Sequence, residues 1–162
     1  MAVASLWREV SLLEERLRIS GVRVVDGPEI GTLAPAVARA RDALYLFLSD
    51  DCPACHEVVA SLPVEGLSSE FTTLGVRVRD DLDLEESPGG DVFVALPPWI
   101  EAVPDELGDR IAAALRVRAT PLAVAVRRGL IVAKGYLRGP EDLLEVARPL
   151  RAGAEVEASA AR

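Results

Sequence analysis

Five large apolar residues in a row, Leu44-Tyr45-Leu46-Phe47-Leu48, constrain the fold of this chain more than any other feature. The run has strand length and no polar face, so it predicts a strand buried on both sides, with structure covering each face. Ser49, Asp50 and Asp51 end it and can cap the next element. From Pro53 to about Leu62 the residues suit a helix, with Pro53 tolerated in the first turn, and Pro63 marks its end.

Other segments supply partners for that strand. Gly75–Arg79 and Asp91–Leu96 are strand candidates, and Asp105–Val117 reads as a helix with Leu107, Ile111, Ala114 and Leu115 on one face. Residues 121–126 and 130–133 read as strands joined by the turn Arg127-Arg128-Gly129, and Pro140 opens a last helix through about Arg148. Near the start, Val3, Leu6, Val10, Leu13 and Leu17 repeat at helical spacing, predicting a helix at residues 4–19 that Gly21 stops. This amphipathic helix either packs on the domain or forms a homodimer seam through residues 3–17. Residues 26–35 form a turn-rich linker, and Asp80, Asp81, Asp83, Glu85 and Glu86 make a solvated acidic loop. The expected organisation is an N-terminal helix and linker over 1–26, one α/β domain over 27–150, and a flexible tail over 151–162. Strand, helix, strand, helix, hairpin, helix gives a layered sandwich on a mixed sheet.

At 162 residues the chain fits one domain able to bury a core. A net charge of −8 argues against nucleic acid or an anionic membrane surface as a partner, because phosphate contacts need clustered Lys and Arg. No stretch approaches the ~18 apolar residues of a membrane-spanning helix, and the N-terminus lacks a signal-peptide layout. A cytoplasmic location is expected from the sequence as it stands. The alternative is an extracytoplasmic domain of a membrane-anchored protein whose anchor has been removed.

The two cysteines, Cys52 and Cys55, cannot build a disulfide framework and point to local chemistry instead. Cys52 falls at the start of a helix, where unpaired backbone N–H groups and the positive end of the helix dipole favour a thiolate. Cys55, one turn on, is placed to resolve a mixed disulfide formed by Cys52. Asp50 and Asp51 oppose the thiolate, so a mild depression of its pKa is expected. Pro53, Ala54, Asp51 and His56 are the neighbours that modulate the pair. Two inert buried thiols are the bland alternative. A zinc site lacks ligands, since only Cys52, Cys55 and His56 lie close together. Cys-Pro-Ala-Cys-His also spells the c-type haem attachment pattern, but Met1 is the only methionine and His56 the only histidine, so a second axial ligand is missing. His56 reads as an exposed helix residue, or as a proton shuttle or electrostatic aid to the thiolate. No cofactor beyond a redox-active disulfide is expected.

Leu44 to Cys55, the Thr120-Pro121 pair and the hairpin with its final helix resemble the thioredoxin-like superfamily. Gly31-Thr-Leu-Ala-Pro35 resembles the Gly-x-x-Ala-Pro segment of its TlpA and peroxiredoxin-like branch. Gly27-Pro28 with Gly31 and Ala34-Pro35, Glu106-Leu107-Gly108, and Ala133-Lys134-Gly135 are similar to the MauD-type methylamine-utilisation accessory family. The resemblance spans residues 27–150 and implies a thioredoxin-like three-layer sandwich. It implies a protein thiol–disulfide oxidoreductase with Cys52 and Cys55 catalytic, and Pro121 as a cis proline facing the disulfide. Thr120 would offer backbone hydrogen bonds to a bound chain. The implied partners are a protein thiol or disulfide substrate and an upstream electron donor or acceptor. A second expectation is a redox-assisted maturation chaperone or binding module for one dedicated enzyme, as in methylamine-dehydrogenase-like maturation. A thiol peroxidase is a third, but Ser49 stands where such enzymes carry Thr. Two further departures matter: Asp51 replaces the Trp of thioredoxins, and Leu46 replaces their buried strand carboxylate, removing a general base for Cys55. Between Pro35 and the first strand the chain is shorter than in TlpA-like relatives, which predicts a lost hairpin.

Overall fold

The structure, a computed structural model, describes residues 26–38, 42–63, 65, 67, 71–79 and 90–160, without the side chains of 152–160. The amphipathic segment at 3–17 and the acidic run at 80–86 lie outside these residues. The apolar run becomes strand β1 (Ala43–Leu48), buried at every position. Its alternating side chains feed two separate cores, as the period of a strand dictates. Leu44, Leu46 and Leu48 join Cys55, Val58 and Val59 of helix α1 (Pro53–Ser61) and Leu143, Val146 and Ala147 of helix α3 (Pro140–Ala160). Tyr45 and Phe47 face the other way, onto Ile111 and Ala112 of helix α2 (Asp105–Ala114) and onto Leu115. Burying one such side chain is worth about 1.5–3 kcal/mol, so the strand with no polar face anchors all three layers.

Among the described residues, four further strands join the sheet: β2 (Thr72–Arg77), β3 (Ile100–Ala102), β4 (Leu122–Arg127) and β5 (Leu130–Tyr136). Their order is β3-β2-β1-β4-β5. Strand β1 is parallel to β2 and antiparallel to β4, with Leu48 opposite Arg77 and Phe47 opposite Leu122. The C-terminal ends of β1 and β2 and the N-terminal end of β4 therefore share one end of the sheet. Strand β4 pairs with β5 through Leu122 and Tyr136, which brings the end of β5 to the same place. The hairpin turns on Arg128 and Gly129, both with positive φ (48° and 75°), the signature of a primed two-residue turn.

Several expected elements differ. The segment expected as a strand over Asp91–Leu96 is a 3-10 helix over Val92–Ala95, and the neighbouring strand is the short β3 beyond it. Val92 N–H donates to Asp50 Oδ1 at 2.9 Å and Phe93 N–H to Asp91 Oδ1 at 2.8 Å, so side chains take the donors a ladder would use. Pro97 and Pro98 then bar continuation. Strand β2 starts earlier than the expected Gly75, at the β-branched pair Thr72-Thr73, and ends at Arg77.

Helix α2 stops at Ala114 rather than Val117. Arg116 takes a left-handed φ of 55°, Val117 N–H bonds to Ala112 O at 3.0 Å, and Arg116 N–H bonds to Ala113 O at 3.1 Å. This is a Schellman cap with Arg in the place usually held by Gly. Its buried stripe is Gly108, Ile111, Ala112 and Leu115, whereas Leu107 is 38% exposed and Ala114 faces solvent. Gly108 lies on the side facing the sheet, where a Cβ would make ordinary contact with Val76 Cγ1 at 3.5 Å and the Arg77 carbonyl oxygen at 3.6 Å.

Helix α3 continues through Ala160, over residues expected as a flexible tail. Beyond Pro149 the sequence is rich in Ala and Glu, both strong helix formers. The turn-rich linker is also more than a linker. Leu33 bridges to Leu130, and Ala34 N–H donates to Gly129 O at 2.8 Å, laying this segment along the outer edge of β5. No helix among the described residues is long and apolar enough to cross a membrane.

Candidate functional site

Cys52 is the N-cap of α1, with extended φ and ψ of −100° and 100°, directly beyond the turn that leaves β1. Its Sγ accepts the Cys55 backbone N–H at 3.1 Å, a donor shared with the Cys52 carbonyl at 2.9 Å. Pro53 at the first helical position gives up an N–H that would have had no partner there. Cys52 and Cys55 are joined as a disulfide with a Cα–Cα distance of 5.2 Å. Their environments differ sharply: Cys55 is fully buried among Leu46, Val58 and Leu143, while Cys52 is partly exposed. Pro53, Ala54 and Asp51 are exposed beside it. The helix residue expected to be exposed, His56, is half-buried; its Nε2 donates to the Asp50 carbonyl at 2.8 Å and ties the helix back to the end of the strand. Leu46, in the place of a thioredoxin carboxylate, is fully buried in an apolar core.

Sequence reading missed the charged cluster beneath this turn. Arg77 forms an ion pair with Asp50 and donates from Nη2 to Asp91 Oδ1 at 2.9 Å. Its guanidinium lies over the Phe93 ring, 4.5 Å from the centroid, and its Nε sits 3.6 Å from Asp105 Oδ1. That Nε is buried and makes no hydrogen bond among the described residues, so Asp105 compensates it only as a nearby charge. Burial works against the charge of Arg77, but the hydrogen bond to Asp91 and the charges of Asp50, Asp91 and Asp105 outweigh it and raise its pKa. Burial likewise pushes the Asp91 carboxyl up; the Phe93 N–H and Arg77 overcome it and hold Asp91 below its ordinary value. The carboxylate of Asp50, expected to cap the next element or to oppose a thiolate, instead lies against a positive charge.

Thr120 and Pro121 open β4 at the same end of the sheet. The Thr120–Pro121 peptide bond is cis; Pro121 is buried and Thr120 half-buried. Since Phe47 faces Leu122, continuing the register sets Pro121 beside Leu48, at the strand end from which the chain turns to Cys52. The Pro121 carbonyl accepts from Leu137 N–H at 3.0 Å. The loop before Thr120 is held by Asp26, a second residue that sequence reading did not single out. Partners 92, 93 and 110 positions away leave no local signature of such a role. Among the described residues, no group of three or more His, Cys, Asp or Glu is placed to hold a metal ion.

A partly exposed cysteine at a helix start, a buried partner and a mixed sheet covered by helices on both faces define a thioredoxin-like fold. Solved structures agree. MTB dsbF, in its mixed oxidised and reduced forms, superposes with a TM-score of 0.50 at 19% identity over 68% of this chain and 81% of its own. The thioredoxin domain of a thiol-disulfide oxidoreductase from Bacteroides vulgatus gives a TM-score of 0.50 at 18% identity, covering 75% of this chain and 96% of its own. A thiol:disulfide interchange protein from Bacteroides sp. gives 0.50 at 18% identity over 76% and 91%. No protein-family model matches the chain, and no curated protein matches it.

Proposed function

We propose that this protein is a thiol–disulfide oxidoreductase that exchanges the Cys52–Cys55 disulfide with protein substrates. The observation that carries the reading is the asymmetry of the pair: a partly exposed sulfur capping a helix, bonded to a buried one. In the reducing direction the Cys52 thiolate attacks one sulfur of a substrate disulfide, forming a mixed disulfide and releasing a substrate thiolate. Cys55 then loses its proton and attacks the Cys52 sulfur. The Cys52–Cys55 bond forms, the second substrate thiolate leaves, and two electrons have passed to the substrate. An external dithiol restores the reduced pair, and the same steps run backwards oxidise a substrate dithiol. The Cys55 N–H that meets Cys52 Sγ stabilises negative charge there, as does the helix terminus. The chemistry needs no group beyond the disulfide itself. Thr120, ahead of Pro121, is the proposed docking edge for the substrate chain.

Within the thioredoxin-like class we propose a TlpA/MauD-type member, a reading that rests on the sequence similarity of the Gly31-to-Pro35 segment. Insulin reduction tests the central reading. Cys52→Ser should abolish turnover, and Cys55→Ser should trap a mixed disulfide that dithiothreitol releases. Full turnover by Cys52→Ser overturns it.

A further inference from the structure

We propose that Asp26 is a positioning residue: its carboxylate presets the loop at residues 116–120 that presents Thr120 to a protein substrate. The inference rests on the oxidoreductase reading and adds to it how the docking edge is built.

Between the end of α2 and Pro121 the chain has few local ways to satisfy its backbone. Val117 N–H is taken by the Schellman cap. The next two N–H groups both turn to Asp26: Arg118 N–H donates to Oδ1 at 2.8 Å and Ala119 N–H to Oδ2 at 3.1 Å. The hydroxyl of Tyr136, which pairs with Leu122 across the hairpin, donates to Oδ2 at 2.5 Å. Gly27 N–H closes on the Arg116 carbonyl at 3.1 Å and also meets Asp26 Oδ1 at 3.0 Å, while Lys134 Nζ donates to the Asp26 carbonyl at 2.7 Å. Both carboxylate oxygens are therefore engaged by donors. Only an ionised carboxylate offers acceptors on both sides; the amide of Asn would set an NH2 against one group of donors. Gly27 belongs to the same device. Its φ is +74°, and a Cβ there would lie 3.2 Å from Leu122 Cδ2, so the segment presses directly on the start of β4.

A backbone edge fixed before the substrate arrives spares the ordering entropy that a loose loop would lose on binding. Loss of the clamp should therefore weaken docking more than it slows sulfur exchange. A brace that only stabilises the fold behaves differently: its loss lowers the amount of active protein, hence the apparent kcat, and leaves KM alone.

The experiment measures KM and kcat for insulin reduction by the full chain as wild type, Asp26→Asn and Tyr136→Phe. Hydrogen bonds to a charged group are strong enough that Asp26→Asn should raise KM at least about fivefold, with kcat within about twofold of wild type. Tyr136→Phe removes one donor and keeps the carboxylate, so KM should rise about twofold. An unchanged KM in Asp26→Asn overturns the proposal, as does a fall in kcat alone. If Asp26→Asn does not fold, Tyr136→Phe decides, and an unchanged KM there overturns it. A wild type that exchanges with a small aromatic disulfide but reduces no protein disulfide sinks the oxidoreductase reading itself, and this inference with it.

Discussion

Asp50 and Arg77 are ion-paired across the C-terminal ends of β1 and β2, with Asp50 lying just ahead of the Cys52–Cys55 disulfide. The pair couples the turn that carries the cysteines to the sheet, and Asp91 extends it to the 3-10 segment. The strand end is thereby held by charge as well as by packing.

Replacing Arg77 by Met keeps most of the bulk over Phe93 but leaves Asp50 and Asp91 without their cation, each with a backbone donor, Val92 N–H and Phe93 N–H respectively. Charged hydrogen bonds in a half-buried setting predict a loss of about 2 kcal/mol, read by urea unfolding. The acid limb should change too. Because the Asp91 carboxyl is held below its ordinary value, its contribution is complete above about pH 4 and is lost as the pH falls further. Arg77→Met should flatten that loss. An unfolding midpoint equal to wild type would show that the cluster contributes nothing.

Tyr136 gives a signal at the alkaline end. Burial, then the hydrogen bond to Asp26 and its negative charge, push the phenol from an ordinary 10.0 to about 12. A raised value means the neutral phenol is the form the fold favours. Its contribution is present below pH 10 and fades as the pH rises towards 12. The difference in phenolate absorbance between wild type and Tyr136→Phe should show this titration. A midpoint near 10 would mean the contact with Asp26 does not form in solution.

What the sequence made legible, and what it hid, divides along one line. The strand at Leu44–Leu48, the helix from Pro53, the Arg128-Gly129 hairpin and the cysteine pair each depend on neighbours in the chain, and each emerges close to its expected place. The 3-10 segment at Val92–Ala95 misled because its residues favour strands, while its fate was set by Asp50, 42 positions away. The face of α2 was misjudged at Leu107 and Ala114 because the buried side includes Gly108, which carries no hydrophobic signal. Arg77 and Asp26 left no local signal either: the partners of each are brought near only by the finished topology.

The C-terminal cap of α2 offers a gain rather than a loss. Arg116 holds a φ of 55°, where an L side chain is strained and glycine is not. Arg116→Gly should stabilise the protein by about 0.5–1 kcal/mol, part of the relief being offset by the freer unfolded chain. A lower melting temperature would mean that the Arg116 side chain makes a stabilising contact outweighing the strain.

The proposed redox exchange turns on unequal sulfurs, and alkylation of the reduced protein by iodoacetamide measures that inequality directly. Peptide mapping across a pH series should find Cys52 modified first, with a midpoint below the ~8.5 of a free thiol, and Cys55 slower by at least about tenfold. Equal rates, or a Cys55 that reacts ahead of Cys52, would contradict it.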